Sequence, residues 1–200
     1  MAVPLTLFLC TMAGAVSAVP ALAPQAAPGL SLLDGQLFLA CMVGDEVAAA
    51  DALAQGADVN CVNEHGISPL LVVCGGVGPA SLLAALLAAG ARANQCDPSG
   101  WSPLIYVASS GQLPLLELLV AAGADVNHRS GGKGWTPLTR AAFRGQAAAA
   151  ARLLALGAEV SARTGGAGPV ELARQNGHEE VAALLLQAEA QGACPSSGRS

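Results

Sequence analysis

The chain has 200 residues, of which 53% are hydrophobic and 12% are charged, and its formal net charge is −5. This composition excludes a disordered polyampholyte, and the acidic balance gives no general electrostatic attraction to nucleic acid. Aromatic residues make up only 3% of the chain, so its core must be built from Ala, Leu and Val in closely packed elements.

The N-terminal segment is apolar. Residues 1–33 carry no charged side chain, and the run from Val3 to Ala18 ends in small residues like those at a signal-peptide cleavage site, although no Lys or Arg precedes it. Two interpretations stay open: residues 1–33 are an Ala/Pro-rich leader, disordered or packed on the first repeat, or residues 1–18 are a cleaved signal. We expect no membrane span, because the run is shorter than about 20 residues and prolines follow it.

Two short phrases then recur at a common interval. The first reads Gly-Ala-Asp-Val-Asn and returns, with substitutions, at 56–60, 90–94, 123–127 and 157–161. The second is Ser/Thr-Pro-Leu, found at 68–70, 102–104 and 136–138, with a weaker copy at 168–170. Its hydroxyl and proline predict a helix start, because they suit the cap and the first helical position. The glycine of the first phrase predicts a helix end in left-handed backbone.

Each unit is therefore predicted to contain two short helices followed by a polar loop. The loops carry turn-forming residues at 63–66, 97–100 and 130–134. Because a single pair of short helices cannot bury its apolar face alone, neighbouring units must stack on one another.

These phrases resemble the ankyrin repeat family, whose unit of about 33 residues contains Thr-Pro-Leu-His-x-Ala-Ala. The best copies are Thr136–Ala142 and the second helix at Gly177–Leu185. The resemblance implies an all-α ankyrin-repeat solenoid of stacked helix-turn-helix units with projecting β-hairpin-like loops. It covers five units, at residues 34–62, 63–96, 97–129, 130–163 and 164–187, before a disordered polar tail at 188–200.

One departure from the family concerns the histidine of that phrase, which the family uses to tie neighbouring loops together. Other residues occupy the position here, and we expect softer loops, or apolar groups where the family has polar ones. The replacements are Leu71, Ile105, Thr139 and Glu171.

We find no pattern for catalysis, a cofactor or a metal. The repeat phase places His65 and His128 in loops and His178 at a helix start, where surface or loop-bonding roles are expected. Residues 131–134 lack the Gly and Ser/Thr of a phosphate-binding loop. The six cysteines form no CxxC pair and no zinc-site spacing with histidine, so we expect reduced thiols. The sequence therefore predicts no enzyme, no cofactor and no metal.

The resemblance implies a protein-protein interaction module, an adaptor or regulatory scaffold whose partner is another protein. We expect a cytoplasmic monomer that binds its partner on the concave face and the loop tips, and no nucleic acid. The alternative is a secreted or organelle-targeted effector with a cleaved N-terminal segment.

Candidate partner-binding residues follow from the repeat phase. Those on the loop tips are Glu64, His65, Ser99 and Lys133. Those at the loop bases and on the first helices are Trp101, Tyr106, Trp135, Arg140, Phe143 and Arg144. Two roles stay open for Trp101 and Trp135, which either stack beside each other at the base of the loops or pack on the neighbouring repeat as structural residues. Arg140 and Arg144 share a helical face that suits an acidic partner segment.

Overall fold

The computed structural model describes residues 30–76 and 78–192, and the predicted leader to residue 29 and the end of the predicted tail, residues 193–200, lie outside them. The described residues form helices and no β-strand, which confirms the predicted all-α solenoid. The ten helices in this part of the chain are α1 (Leu32–Val43), α2 (Glu46–Ala54), α3 (Pro69–Gly75), α4 (Ala80–Ala88), α5 (Pro103–Ser110), α6 (Leu113–Ala121), α7 (Pro137–Arg144), α8 (Ala147–Ala155), α9 (Pro169–Gln175) and α10 (Glu179–Gly192).

The helices stack in two rows. The odd-numbered helices, which come first in each pair, pack on one another in chain order, and the even-numbered helices form a second row behind them. Leu70, Leu104 and Leu138 lie at the same register of the first row and are fully buried. The predicted core leucines therefore form a continuous apolar interior between the rows.

The loops between units fold back as tight hairpin-like turns. In each loop, the first backbone N–H donates to a carbonyl three to five residues later, at an N···O distance of 2.8 to 3.0 Å. The donor and acceptor pairs are Asn63 and Ile67, Asp97 and Trp101, Ser130 and Trp135, and Thr164 and Ala167. The predicted β-hairpin-like loops are therefore present, although none is long enough to count as a strand pair.

The predicted hydroxyl caps form at two of the three Ser/Thr-Pro-Leu phrases. Ser68 Oγ accepts from the Leu71 amide at 3.4 Å, and Thr136 Oγ1 accepts from the Thr139 amide at 3.2 Å. The prediction is wrong at Ser102, whose buried hydroxyl has no hydrogen-bond partner. The reason is a tighter first turn, in which the Ile105 amide donates to the Ser102 carbonyl at 3.0 Å.

The asparagine that ends the Gly-Ala-Asp-Val-Asn phrase joins neighbouring units. Asn60 accepts from the Arg92 amide at 2.9 Å and donates to the Gly90 carbonyl at 3.1 Å. Asn94 and Asn127 make the same pair of bonds to the units that follow them, at 2.8 to 3.1 Å. Each asparagine thus satisfies backbone groups at the end of the next unit's second helix and fixes the register of stacking.

Of the residues that replace the family histidine, Thr139 keeps a polar contact between neighbouring loops. Its side chain is fully buried, and its Oγ1 lies 2.9 Å from Thr164 Oγ1 of the next unit. Thr139 Oγ1 also accepts from the Thr136 amide at 2.9 Å. A pair of hydroxyl groups therefore keeps the polar tie between loops, whereas Leu71 and Ile105 are buried apolar groups.

The C-terminal helix is longer than the sequence predicted. Helix α10 continues to Gly192, so residues 188–192, which were assigned to a disordered tail, are helical; Ala188, Glu189 and Ala190 are good helix formers.

Cys41, Cys61 and Cys74 are buried free thiols, and burial raises the pKa of Cys41 to about 12. They serve as small apolar residues of the core.

Candidate functional site

A carboxylate organises the loop that precedes the third helix pair. Asp97 Oδ1 accepts from the backbone amides of Ser99 and Trp101, both at 2.8 Å. Gly100 turns the chain with a φ of +78°, and a Cβ at this position would lie 2.6 Å from the backbone nitrogen of Gly131. The loops at 97–101 and 130–135 therefore approach each other backbone to backbone, and this contact requires glycine.

Tyr106 on α5 supports this loop from below. Its hydroxyl donates to Asp97 Oδ2 at 2.7 Å, and its ring packs on the Trp101 ring with centroids 5.3 Å apart. Burial raises the pKa of Tyr106 above its usual value, and the hydrogen bond to Asp97 and the charge of that carboxylate raise it further. The hydroxyl is therefore neutral and hydrogen-bonded to Asp97.

Arg140 on α7 lies against two indole rings that belong to successive loops. Its guanidinium carbon is 4.8 Å from the Trp101 ring centroid and 5.3 Å from that of Trp135. Its Nε also donates to Ser109 Oγ of the preceding unit at 3.2 Å. Burial lowers the pKa of Arg140, and the charge of Arg144 lowers it further. The expected direct stacking of the indoles is wrong, because the long arginine side chain reaches across the unit boundary and bridges them.

Trp135 is held in the same way as Trp101. Its amide donates to Ser130 Oγ at 3.0 Å, and the Ser130 amide donates back to the Trp135 carbonyl at 2.8 Å. The Phe143 ring meets the Trp135 ring edge to face at 5.3 Å, and it also lies 5.2 Å from the Arg140 guanidinium. We call the resulting group the aromatic–arginine cluster; its members, all half-buried, are Trp101, Tyr106, Trp135, Arg140 and Phe143.

A shallow, open cleft of about 610 Å³ lies beside this cluster, between the loops at 97–101 and 130–135. Trp101 and Trp135 line it together with the exposed Ser99 and Lys133. Arg144 is exposed on α7, one helical turn after Arg140. The surface therefore offers indole faces and exposed positive charge, whereas the carboxylate of Asp97 is already hydrogen-bonded within its own loop.

Glu64 and His65 stand apart from the cluster. They occupy the tip of the preceding loop, where their exposed side chains lie 3.5 Å from each other. This loop contacts the loop at 97–101, because a Cβ on Gly66 would lie 2.7 Å from Pro98 Cγ. The structure thus brings eight of the ten predicted residues to the cluster, its cleft and α7, and leaves these two one loop away.

Two residues that hold the cluster, Asp97 and Ser130, were absent from the predicted set, whereas Ser109 was expected on the exposed side of its helix. Asp97 opens an Asp-Pro-Ser-Gly turn, a pattern that favours a carboxylate bound to the backbone two residues on. Its second oxygen binds Tyr106 only because the loop folds back onto α5, which no local pattern indicates. The contact of Ser109 with Arg140 likewise depends on the stacking of units, whereas Ser130 bonds to Trp135 within its own loop.

His128 has the loop-bonding role that was predicted for it. Its Nε2 lies 2.9 Å from the Gly100 carbonyl and 3.4 Å from Cys96 Sγ. Burial raises the pKa of the Cys96 thiol, and the charge of Asp97 adds to this. The residues described by the structure contain no group of three or more His, Cys, Asp or Glu side chains arranged to hold a metal ion.

Comparison with known proteins bears on the whole array. A model of ankyrin repeats in three copies matches residues 37–130, and a model of ankyrin repeats in many copies matches residues 106–155. No curated protein matches the chain. Within residues 30–76 and 78–192, no helix combines the length and apolarity that a membrane crossing requires. The two matches together with the stacked helix pairs show that the chain belongs to the ankyrin repeat family.

Proposed function

We propose that this chain is a non-enzymatic adaptor or regulatory scaffold, which binds a partner protein at the aromatic–arginine cluster and the adjoining loop tips. Ankyrin repeats generally serve as protein-protein interaction modules. The observation that carries the proposal is the half-exposed cluster itself. Trp, Tyr and Arg dominate the energetics of interfaces, and here their contacts to one another hold them in place before a partner arrives.

The exposed charges beside the cluster indicate the chemistry of the partner. Lys133 and Arg144 are exposed, and Asp97, the carboxylate that lines the cleft, is hydrogen-bonded to its own loop and to Tyr106. A partner segment that combines acidic side chains with an apolar or aromatic one fits this surface. The net charge of −5 favours a protein over a nucleic acid as partner. In this proposal one copy of the chain binds as a monomer.

The thiol of Cys96 lies beside a histidine, but its environment does not suit a catalytic nucleophile, which supports a non-enzymatic role. Cys96 faces His128, but burial and the neighbouring Asp97 raise the pKa of its thiol. A catalytic cysteine needs a lowered pKa, because the thiolate is the reactive form.

The test is affinity capture with the full chain as bait, compared with a Lys133→Glu/Arg144→Glu variant. Both side chains are exposed and lie outside the packed cluster, so the variant should have the same melting temperature as the intact chain. Arg92→Glu is the matched control, because it reverses an exposed charge away from the cluster. We expect a partner retained by the intact chain and the control but bound at least about tenfold more weakly by the double variant. Equal retention by all three would contradict this placement of the site.

A further inference from the structure

The first helix pair exposes large apolar side chains at the N-terminal end of the array. The exposed fraction is 54 to 71% for five of them, which are Leu32, Leu39, Met42 and Val43 on α1 and Val47 on α2. Leu32, Leu39 and Val43 follow one another at intervals of seven and four residues and therefore form a stripe along α1. We call these five residues the α1 apolar face.

In the fourth unit, the position that corresponds to Leu39 is covered by the preceding unit, whereas the position that corresponds to Val43 is occupied by the exposed Arg144. Leu39 corresponds in repeat phase to Arg140, which packs on Trp101 and bonds to Ser109, both of the unit before it. In the described part of the chain, no unit precedes α1. The terminal units of repeat arrays normally have a polar outer face, because nothing else shields them from water.

The opposite end of the array follows this rule. Helix α10 exposes Glu179, Glu180 and Gln187, and Leu186, 40% exposed, is its one strongly exposed large apolar residue among the described residues. The exposed apolar groups therefore mark the first unit specifically and are not a general property of this surface.

We propose that residues 3–18 of the same chain bind the α1 apolar face and act as its cap. This segment is mostly apolar and, like all of residues 1–33, carries no charged side chain. The described side chains around the face include Asp34, Asp45 and Glu46, so an uncharged segment can approach without electrostatic repulsion. Burial of apolar surface on both sides drives the contact.

The length of the chain permits this contact. Residues 19–29 can extend over about 36 Å, whereas α1, with its twelve residues, is only about 18 Å long. A segment that precedes α1 can therefore turn back and lie along the whole helix. Because the partner surface involves units three and four, the inference does not depend on the proposed function.

Limited chymotrypsin digestion of the full chain tests the contact, with cleavage at Leu5, Phe8 and Leu9 followed by mass spectrometry. The variant is Leu39→Gln/Val43→Gln, which makes the face polar with a good helix former. The matched control is Leu186→Gln at the far end of the array. We expect slow cleavage in the intact chain and the control, and cleavage at least about tenfold faster in the double variant.

Hydrogen exchange of the α1 amides in the double variant verifies that the helix itself stays folded; if it does not, the milder single variant Val43→Gln is used. Equal cleavage rates in the intact chain, control and folded variant, whether fast or slow, would overturn the inference. It would also be overturned if the chain isolated from its natural source began after residue 18, because the segment would then be a cleaved signal.

Discussion

The Tyr106 hydroxyl donates a 2.7 Å hydrogen bond to Asp97 Oδ2, and this bond joins helix α5 to the loop that carries Trp101. Tyr106 therefore supports the aromatic–arginine cluster from within. A substitution at Tyr106 changes the loop as well as any contact with a partner, which is why charge reversals at the exposed Lys133 and Arg144 are the better test of binding.

The first prediction concerns the ionisation of Tyr106. It is the only tyrosine in the chain, so the absorbance of tyrosinate near 295 nm reports this hydroxyl alone. Because its folded pKa is raised, we expect the hydroxyl to remain neutral past pH 10 in the folded protein and to titrate near pH 10 in denaturant. The free energy of unfolding should then fall as the pH rises above 10, where only the unfolded chain ionises. Coincident titration curves would contradict the buried bond to Asp97.

Arg140→Ala should destabilise the array by about 1–3 kcal/mol, because the variant loses contacts with three aromatic rings and the bond to Ser109. The emission of Trp101 and Trp135, the only two tryptophans, should move to longer wavelength as water reaches their rings. Urea unfolding and fluorescence measure both effects. Arg144→Ala on the same helix serves as the control, and its exposed side chain predicts a change within about 0.5 kcal/mol. Identical stability of the two variants would argue against the bridging role of Arg140.

Three positions with the same sequence phrase should respond differently to alanine. Ser68→Ala and Thr136→Ala each remove a helix cap and should cost about 1 kcal/mol. Ser102→Ala removes a buried hydroxyl without a partner, so we expect no loss of stability or a small gain. Thermal melts of the three single variants provide the comparison. A loss at Ser102 as large as that at Ser68 would show that the hydroxyl does cap α5.

Asn94→Ala should weaken the stacking of the second and third units by about 1–2 kcal/mol, since it removes bonds to the Gly123 carbonyl and the Asp125 amide. Native-state hydrogen exchange would show the loss as faster exchange of the Asp125 amide. Gln95→Ala, a change at the adjacent polar residue, is the control for a general effect of the substitution. The same exchange rate in both variants would mean that the asparagine bonds do not hold the units together.

The helices and their ends could be predicted because their signals are local. Gly56, Gly90 and Gly123 have φ values of +84° to +101°, a backbone conformation that glycine adopts without strain wherever the phrase recurs. The proline of the second phrase likewise fits the first turn of α3, α5 and α7. A regular interval between such signals is sufficient to predict stacked pairs of helices.

The geometry of the candidate site could be predicted only in part. The repeat phase placed Trp101, Trp135 and Arg140 on one surface, but the position of the guanidinium between the rings depends on how two units stack. The difference between Ser102 and Thr136 cannot be seen in the sequence either. It depends on whether the amide three residues later donates to the carbonyl or to the hydroxyl of the cap residue. Such choices belong to tertiary packing and leave no local pattern.

The central claim, that a partner protein binds at the aromatic–arginine cluster, is tested most directly by fluorine NMR. A chain grown with 5-fluorotryptophan gives two resonances, one for Trp101 and one for Trp135, and both residues line the cleft. We predict that the captured partner shifts or broadens both resonances over the same concentration range in which the complex forms. Resonances that stay unchanged while size-exclusion chromatography shows the complex would contradict the claim and move the interface to another face of the array.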